Sequence, residues 1–422
     1  MKKFLSLFLA LAMVLSLASF SLAEEKVTVR AWVCDGAETV VYTEIFDDFN
    51  AKNAGIVVDY QFFAQDELLN KLQTAPVVGD TPDIVVIDGL QIPYFQDLGM
   101  IACIDEYLSD ELRADMLQSA KDECTYDGKL YGVAQFDSGL SFWADKAALE
   151  KIGARIPVSY KEAWNQEEFE KVLADLKAAG YEYPLYIRQN SPKSLYFTYI
   201  PFVKAFGGDF LNRDTMTAVG ALDSEGTIAA YDYMKKLIDE GYINPTCDYE
   251  DAFFGRKEAA ISLIGHWKYT DHVNAFGDNA ILVPLPDFGN GVWTSSGSTV
   301  DVMTTAAVER GVGEQAWAVL EALMSEEYIK KVVGVNGAVP ARSSILATME
   351  EYQEGGRLYL YREQLEAGLS FLRPVTAAHS TVYDAVKTVV INILAGADPA
   401  DELQYAAEYC DEIIIENGWN IE

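Results

Sequence analysis

From residue 27 onward the apolar positions keep changing their period, and each change marks an element. Val27, Val29, Ala31 and Val33 alternate with Thr28, Arg30 and Trp32, the two-residue repeat of a strand. Asp35-Gly36 turns the chain, and Val41, Ile45 and Phe49 then recur every four residues, as on one face of a helix. Val57–Phe62 predicts a second strand, Leu68, Leu69 and Leu72 a second helix, and the unbroken apolar run Ile84–Ile87 a short buried strand. Strand, helix, strand, helix, strand predicts an α/β unit with a parallel sheet covered on both faces. Ligands of such sheets bind beyond the carboxyl ends of the strands. That places Trp32 and Asp35 at the first end, Gln65 and Asp66 at the second and Asp88 at the third. Local roles compete: Asp35 also suits its Asp-Gly turn, and Gln65 and Asp66 suit the cap of the following helix.

A later run has the same physical character. In Phe254–Trp267 a short charged turn feeds the apolar stretch Ala259–Ile264, which predicts a buried strand ending at Gly265, with Trp267 just beyond it. An aromatic ring just past a strand and a glycine is a flat surface at the mouth of a cleft. The segment resembles the "F-x-x-G-K-A-A-M-x-x-x-G-x-W" stretch of the family-1 extracellular solute-binding proteins, the sugar-capturing components of ABC importers that include the maltose-binding type. Phe254, Ala259, Ala260, Gly265 and Trp267 match it, and Lys257-Glu258 departs from its Gly-Lys pair. Pro82–Asp88 resembles that family's "P-D-V-V-x-x-D". Gly128–Val133 resembles its "G-K-L-Y-G-V-P", with Ala134 in place of proline. Phe206-Gly207-Gly208 and Gly337–Arg342 follow in the family's order.

The resemblance implies a periplasmic-binding-protein-like type II fold, two discontinuous α/β lobes with the ligand cleft between them. The first lobe is then expected over 24–134 with 285–330, and the second over 135–284 with 331–422. Crossings are expected near Gly132–Phe136, near Val283–Pro286, where two prolines favour an extended connector, and before Gly334. Just beyond the first crossing lie Gln135, Asp137 and Trp143. Trp293, Ser296 and Gly297 belong to a stretch resembling the family's loop that meets the ligand after the hinge, and also read as an ordinary hydroxyl-rich turn. Arg342 fits the family's "V-P-x-R", either as a ligand donor or as a structural clamp.

This mixture of residue types suits a sugar, whose hydroxyls need donors and acceptors and whose C–H faces pack on aromatic rings. Composition then limits the partners. The chain has 65 acidic and 32 basic residues, a formal charge of −33, which repels phosphate backbones and argues against nucleic acid. It also opposes anionic ligands unless a local basic pocket overrides it, so the expected ligand is neutral or weakly charged. Met1-Lys2-Lys3, the apolar stretch to Leu22 and the small-residue exit at Ala23 predict a cleaved leader over 1–23. No cysteine precedes Cys34 for lipid attachment, so a periplasmic or secreted protein is expected. Five cysteines leave at least one unpaired, and a Cys103–Cys124 bridge stays open.

No G-x-S-x-G elbow, H-E-x-x-H pair or P-loop occurs, and His266, His272 and His379 have no metal-ligand spacing. The expectation is therefore a monomeric sugar-binding protein with no catalytic residue, metal or cofactor, delivering an oligosaccharide to a membrane permease of an ABC transporter. An exported glycosidase is the alternative, because paired carboxylates are always available in so acidic a chain and their separation is not legible. A binder of the same fold for a non-sugar solute is a third reading.

Overall fold

The computed structural model describes residues 26–421; the leader expected over 1–23 lies outside them. The three strands read from the sequence form one side of a five-stranded sheet, in the order Ile56–Phe63, Val27–Cys34, Ile84–Asp88, Thr299–Met303, Gly132–Val133. Val27–Cys34 runs parallel to both neighbours, with Ala31 opposite Tyr60 on one side and Ile84 on the other. The Thr299–Met303 strand returns antiparallel, with Val300 opposite Ile87 and Asp301 opposite Val133. The sheet is thus parallel through its first three strands and mixed as a whole, because its fourth strand comes from a different part of the chain.

Two main cores follow. One gathers Val29, Ile45, Ile84 and Val133 with Val300, Leu320, Ile329 and Val333. The other gathers Phe142, Phe169, Phe202 and Met234 with Val283, Leu285, Val386 and Ile414. A smaller cluster, including Trp143, Phe253, Val339, Tyr352 and Tyr361, packs beside the second core. The second lobe has its own sheet, ordered Ala280–Val283, Phe142–Asp145, Ile261–Ser262, Leu185–Tyr186.

The first crossing lies where the sequence puts it, between Gly132–Val133 and Phe136–Asp137, and the other two lie later. Val283 and Leu285 are buried in the second core, and Asp287 is still tied to that lobe through its amide on the Trp164 carbonyl at 2.9 Å. Pro284 and Pro286 therefore end a strand without leaving the lobe. Thr294–Ser296 also stays there, parallel to Ser370–Leu372, and the chain passes over at Gly297-Ser298. The third passage runs through Ala338–Leu346, beyond the Glu326–Asn336 helix, whose Ile329, Val332 and Val333 face the first core. All three passages are lashed together. Phe136–Asp137 pairs antiparallel with Val339–Pro340, Gly297 donates its amide to Asp137 Oδ1 at 3.0 Å, and Ser298 Oγ donates to the Phe136 carbonyl at 2.7 Å. All five cysteines are free thiols, so no Cys103–Cys124 bridge forms.

Candidate functional site

Between the lobes lies a cleft of about 290 Å³, at the carboxyl ends of the first three strands. Five residues picked out by the sequence line it: Asp35, Gln65 and Asp88 from the first lobe, Gly297 from the passage and Trp267 from the second lobe. Asp35 serves its turn as well, accepting from Thr39 Oγ1 at 2.5 Å. Gln65 opens the Gln65–Val78 helix without capping it. Asp88 caps the next helical turn through the Leu90 amide and receives Arg373 at 3.4 Å. Burial works to raise the Asp88 pKa, but Arg373, His379 and the Leu90 amide outweigh it and hold the carboxyl below its usual range.

Trp267 owes its position to two neighbours. Gly265 has no side chain, and a Cβ there would meet the Trp267 ring at 2.0 Å, so the indole folds back over the glycine at the end of the buried run. Phe197 packs beside it with ring centroids 6.1 Å apart. The indole Nε1 is buried without a hydrogen-bond partner. His266, on the same helical turn, receives or donates a bond with Ser138 Oγ at 3.0 Å, and burial pulls its pKa down to about 3, so the ring is neutral.

The other residues singled out by the sequence do not line the cleft. Trp32 is 4 % exposed in the first core, edge-on to Phe63 and covered by the Lys71 ammonium. Trp143 is fully buried beside His272 and Tyr269, because its strand is flanked by others on both sides. Gln135 and Asp137 lie at the first passage between the lobes: Gln135 Nε2 donates to the Leu323 carbonyl at 2.8 Å, and Asp137 accepts the Gly297 amide. Trp293 turns its Nε1 onto the Asn290 carbonyl and its edge to Phe371. Ser296 is buried in the two-stranded ladder with Leu372. Arg342 is a clamp within the first lobe, donating to Asp115 at 2.7 Å and to the Met324 carbonyl at 2.8 Å. Asp66 is exposed at the margin and bridges the lobes by an ion pair with Lys193 at 2.9 Å.

The residues missed are mostly cations and their supports. Arg188, Lys193 and Arg373 all line the second-lobe wall. Behind Gly297, Glu123 accepts the Ser298 amide with both oxygens at 2.9 Å. Burial, with the neighbouring charges of Asp88 and Asp137, pushes its carboxyl well above the usual range. Gly297 itself has φ +110°, and a Cβ would stand 2.9 Å from Glu123 Oε1, which is why this passage demands glycine. Nothing local in the sequence marks these cations for the cleft; Arg373 is brought to it by the pairing of Ser370–Leu372 with Thr294–Ser296. Among the described residues, no group of three or more His, Cys, Asp or Glu is placed to hold a metal ion.

The cleft therefore offers carboxylates and an amide on one wall, and aromatic rings with guanidinium and ammonium donors on the other. Comparison with known proteins adds an independent finding. The family model described as bacterial extracellular solute-binding protein matches residues 44–358. A putative binding protein of Brucella abortus (strain 2308) is 25% identical over 413 residues, covering 95% of this chain and 96% of that protein. A maltotriose-binding protein of Pyrococcus abyssi is 24% identical over 367 residues, covering 85% and 75%. Among solved structures, maltose-bound T. maritima MalE3 superposes with a TM-score of 0.80 at 17% identity, over 92% of this chain and 100% of that one. The GacH receptor of Streptomyces glaucescens superposes with a TM-score of 0.77 at 20% identity, over 93% and 98%. At such identities the structural likeness concerns the fold.

Proposed function

This chain belongs to the bacterial extracellular solute-binding proteins, and from that premise we propose that it is the substrate-binding component of a carbohydrate ABC transporter, working as a monomer in the periplasm or outside the cell. The observation that carries the proposal is the make-up of the cleft. Trp267 and Phe197 present apolar ring surface for the C–H face of a sugar, while Asp35, Gln65 and Asp88 accept hydroxyl protons from the opposite wall. Sugar-binding relatives support the same reading.

Capture proceeds by hinge closure. A sugar touching both walls binds the closed arrangement better than the open one and shifts the population accordingly. The three lashed passages confine that motion to a bend about one line. Closure orients the two lobes for a membrane permease, and no bond in the sugar is broken. Calorimetry with a panel of oligosaccharides tests the proposal, with chromatography of the recovered ligand. Binding of an intact sugar supports it; no binding, or recovery of shorter products, overturns it.

A further inference from the structure

The second-lobe wall alternates rings and cations. Phe197 and Trp267 lie side by side, and each carries an arginine, with the Arg373 guanidinium 5.0 Å from the Phe197 centroid and that of Arg188 5.2 Å from Trp267. Arg188 holds φ 61°, a left-handed conformation that is strained for a non-glycine residue and tends to occur at functional sites. Its charge is matched by Glu250 at 2.8 Å. Lys193 is matched by Asp66.

Arg373 is not matched in the same way. It is 3% exposed, yet among the described residues its only hydrogen bond runs from Nη2 to Asp88 at 3.4 Å, and its Nε is buried with no acceptor. A guanidinium has five donors in a rigid planar fork, and buried charged donors left unmade are costly. Glu123, the next carboxylate, turns both oxygens to the Ser298 amide. Arg373 thus lines the cleft with most of its donors unused, packed against the rings of Tyr196 and Phe197.

We propose that the sugar taken by this cleft is acidic, a uronic acid or an oligomer of one, with its carboxylate received by Arg373 and flanked by Arg188. The inference rests on the carbohydrate-binding reading above. A carboxylate is planar and takes two parallel donors of the fork, whereas a sugar hydroxyl satisfies one. A phosphate monoester would set two negative charges beside Asp88 where a carboxylate sets one. The −33 formal charge of the chain does not exclude an anion. Exposed charges are screened beyond a Debye length of roughly 8 Å, while cations lining the cleft act at contact.

The test is titration calorimetry with oligomers of glucuronic, galacturonic and mannuronic acid, each beside its neutral glucose, galactose or mannose counterpart and its sugar phosphate. The expected result is that one acidic ligand binds tighter than its neutral counterpart by about tenfold to a hundredfold, with an affinity that weakens as salt is added. Arg373→Gln should erase that preference and Arg373→Lys restore it in part. Arg188→Gln should reduce the preference, and serves if the Arg373 variants fail to fold. A neutral sugar or a sugar phosphate binding at least as tightly as the acid overturns this inference and leaves the carbohydrate-binding reading standing. Equal loss of acidic and neutral binding in Arg373→Gln also overturns it. Failure of every sugar to bind the folded wild-type protein overturns both.

Discussion

Asp301→Asn isolates the cost of a carboxylate built into the central sheet. Asp301 sits on the Thr299–Met303 strand, 1% exposed, and its Oδ1 accepts from Tyr42 Oη at 3.2 Å, directly behind the cleft. Burial pushes its carboxyl from the ordinary 3.8 up to about 7. Below 3.8 the folded and unfolded chains both hold the proton, and the group contributes no dependence on pH. Between 3.8 and about 7 the unfolded chain has released it and the folded chain has not, so stability falls as pH rises. Above about 7 the full penalty is present, and the interval corresponds to about 4 kcal/mol. Asparagine keeps the acceptor for Tyr42 and cannot ionise, so the variant should gain on the wild type across that interval. Urea unfolding from about pH 4 to about pH 8 measures the difference between the two curves. Glu123 and Asp137, also shifted upward, remain in the variant, so its own stability should still decline, but less steeply. A difference that stays constant with pH would refute the reasoning, because it would mean that Asp301 ionises in the folded protein as easily as in water.

Trp267→Ala should weaken sugar binding by about 1 to 3 kcal/mol by calorimetry, through loss of the ring face, and unchanged affinity would place the indole outside the site. Gly297→Ala should lower stability by about 1 to 3 kcal/mol in urea unfolding, since φ +110° and the close approach to Glu123 both oppose a side chain; a melting curve like the wild type would count against it. Lys193→Ala removes the ion pair with the exposed Asp66 and should change stability by less than about 1 kcal/mol, yet enlarge the ligand-free radius of gyration in solution scattering; an unchanged radius would show the bridge does not hold the lobes together. Saturating sugar should reduce the wild-type radius, and no change would argue against hinge closure.

The fold was legible where burial imposes a period. Val27–Cys34, Ile56–Phe63 and Ile84–Asp88 are strands whose pattern says so, and Asp35, Gln65 and Asp88 follow from the carboxyl-end rule alone. The carboxyl-end rule reaches Trp32 as well as Asp35, but Trp32 still lies within the strand, and a strand inside a helix-covered sheet is buried on both sides, so its ring goes into the core. Trp143 fails likewise, as a large aromatic between two neighbouring strands. The cations were not legible because nothing local distinguishes a cleft lysine from a solvated one, and Arg373 reaches the site only through the pairing of Ser370–Leu372 with Thr294–Ser296. Asp137 and Gln135 lie at the crossing the sequence located, but whether such residues face ligand or hinge depends on the partner passages.

The Thr299–Met303 strand has a consequence for how the protein comes into being. It sits between Ile84–Asp88 and Gly132–Val133, so the first lobe's sheet stays in two pieces until the entire second-lobe insertion has been synthesised. Pairings across so long a loop are slow to form, because the entropy of bringing the ends together is lost before any contact compensates it. The nascent chain therefore remains without a finished first lobe for most of its synthesis. If the leader expected over 1–23 sends the chain across a membrane unfolded, delayed completion is an advantage that follows from strand order. Moving the chain ends by circular permutation, so that Thr299–Met303 is made beside Ile84–Asp88, should speed folding and slow export.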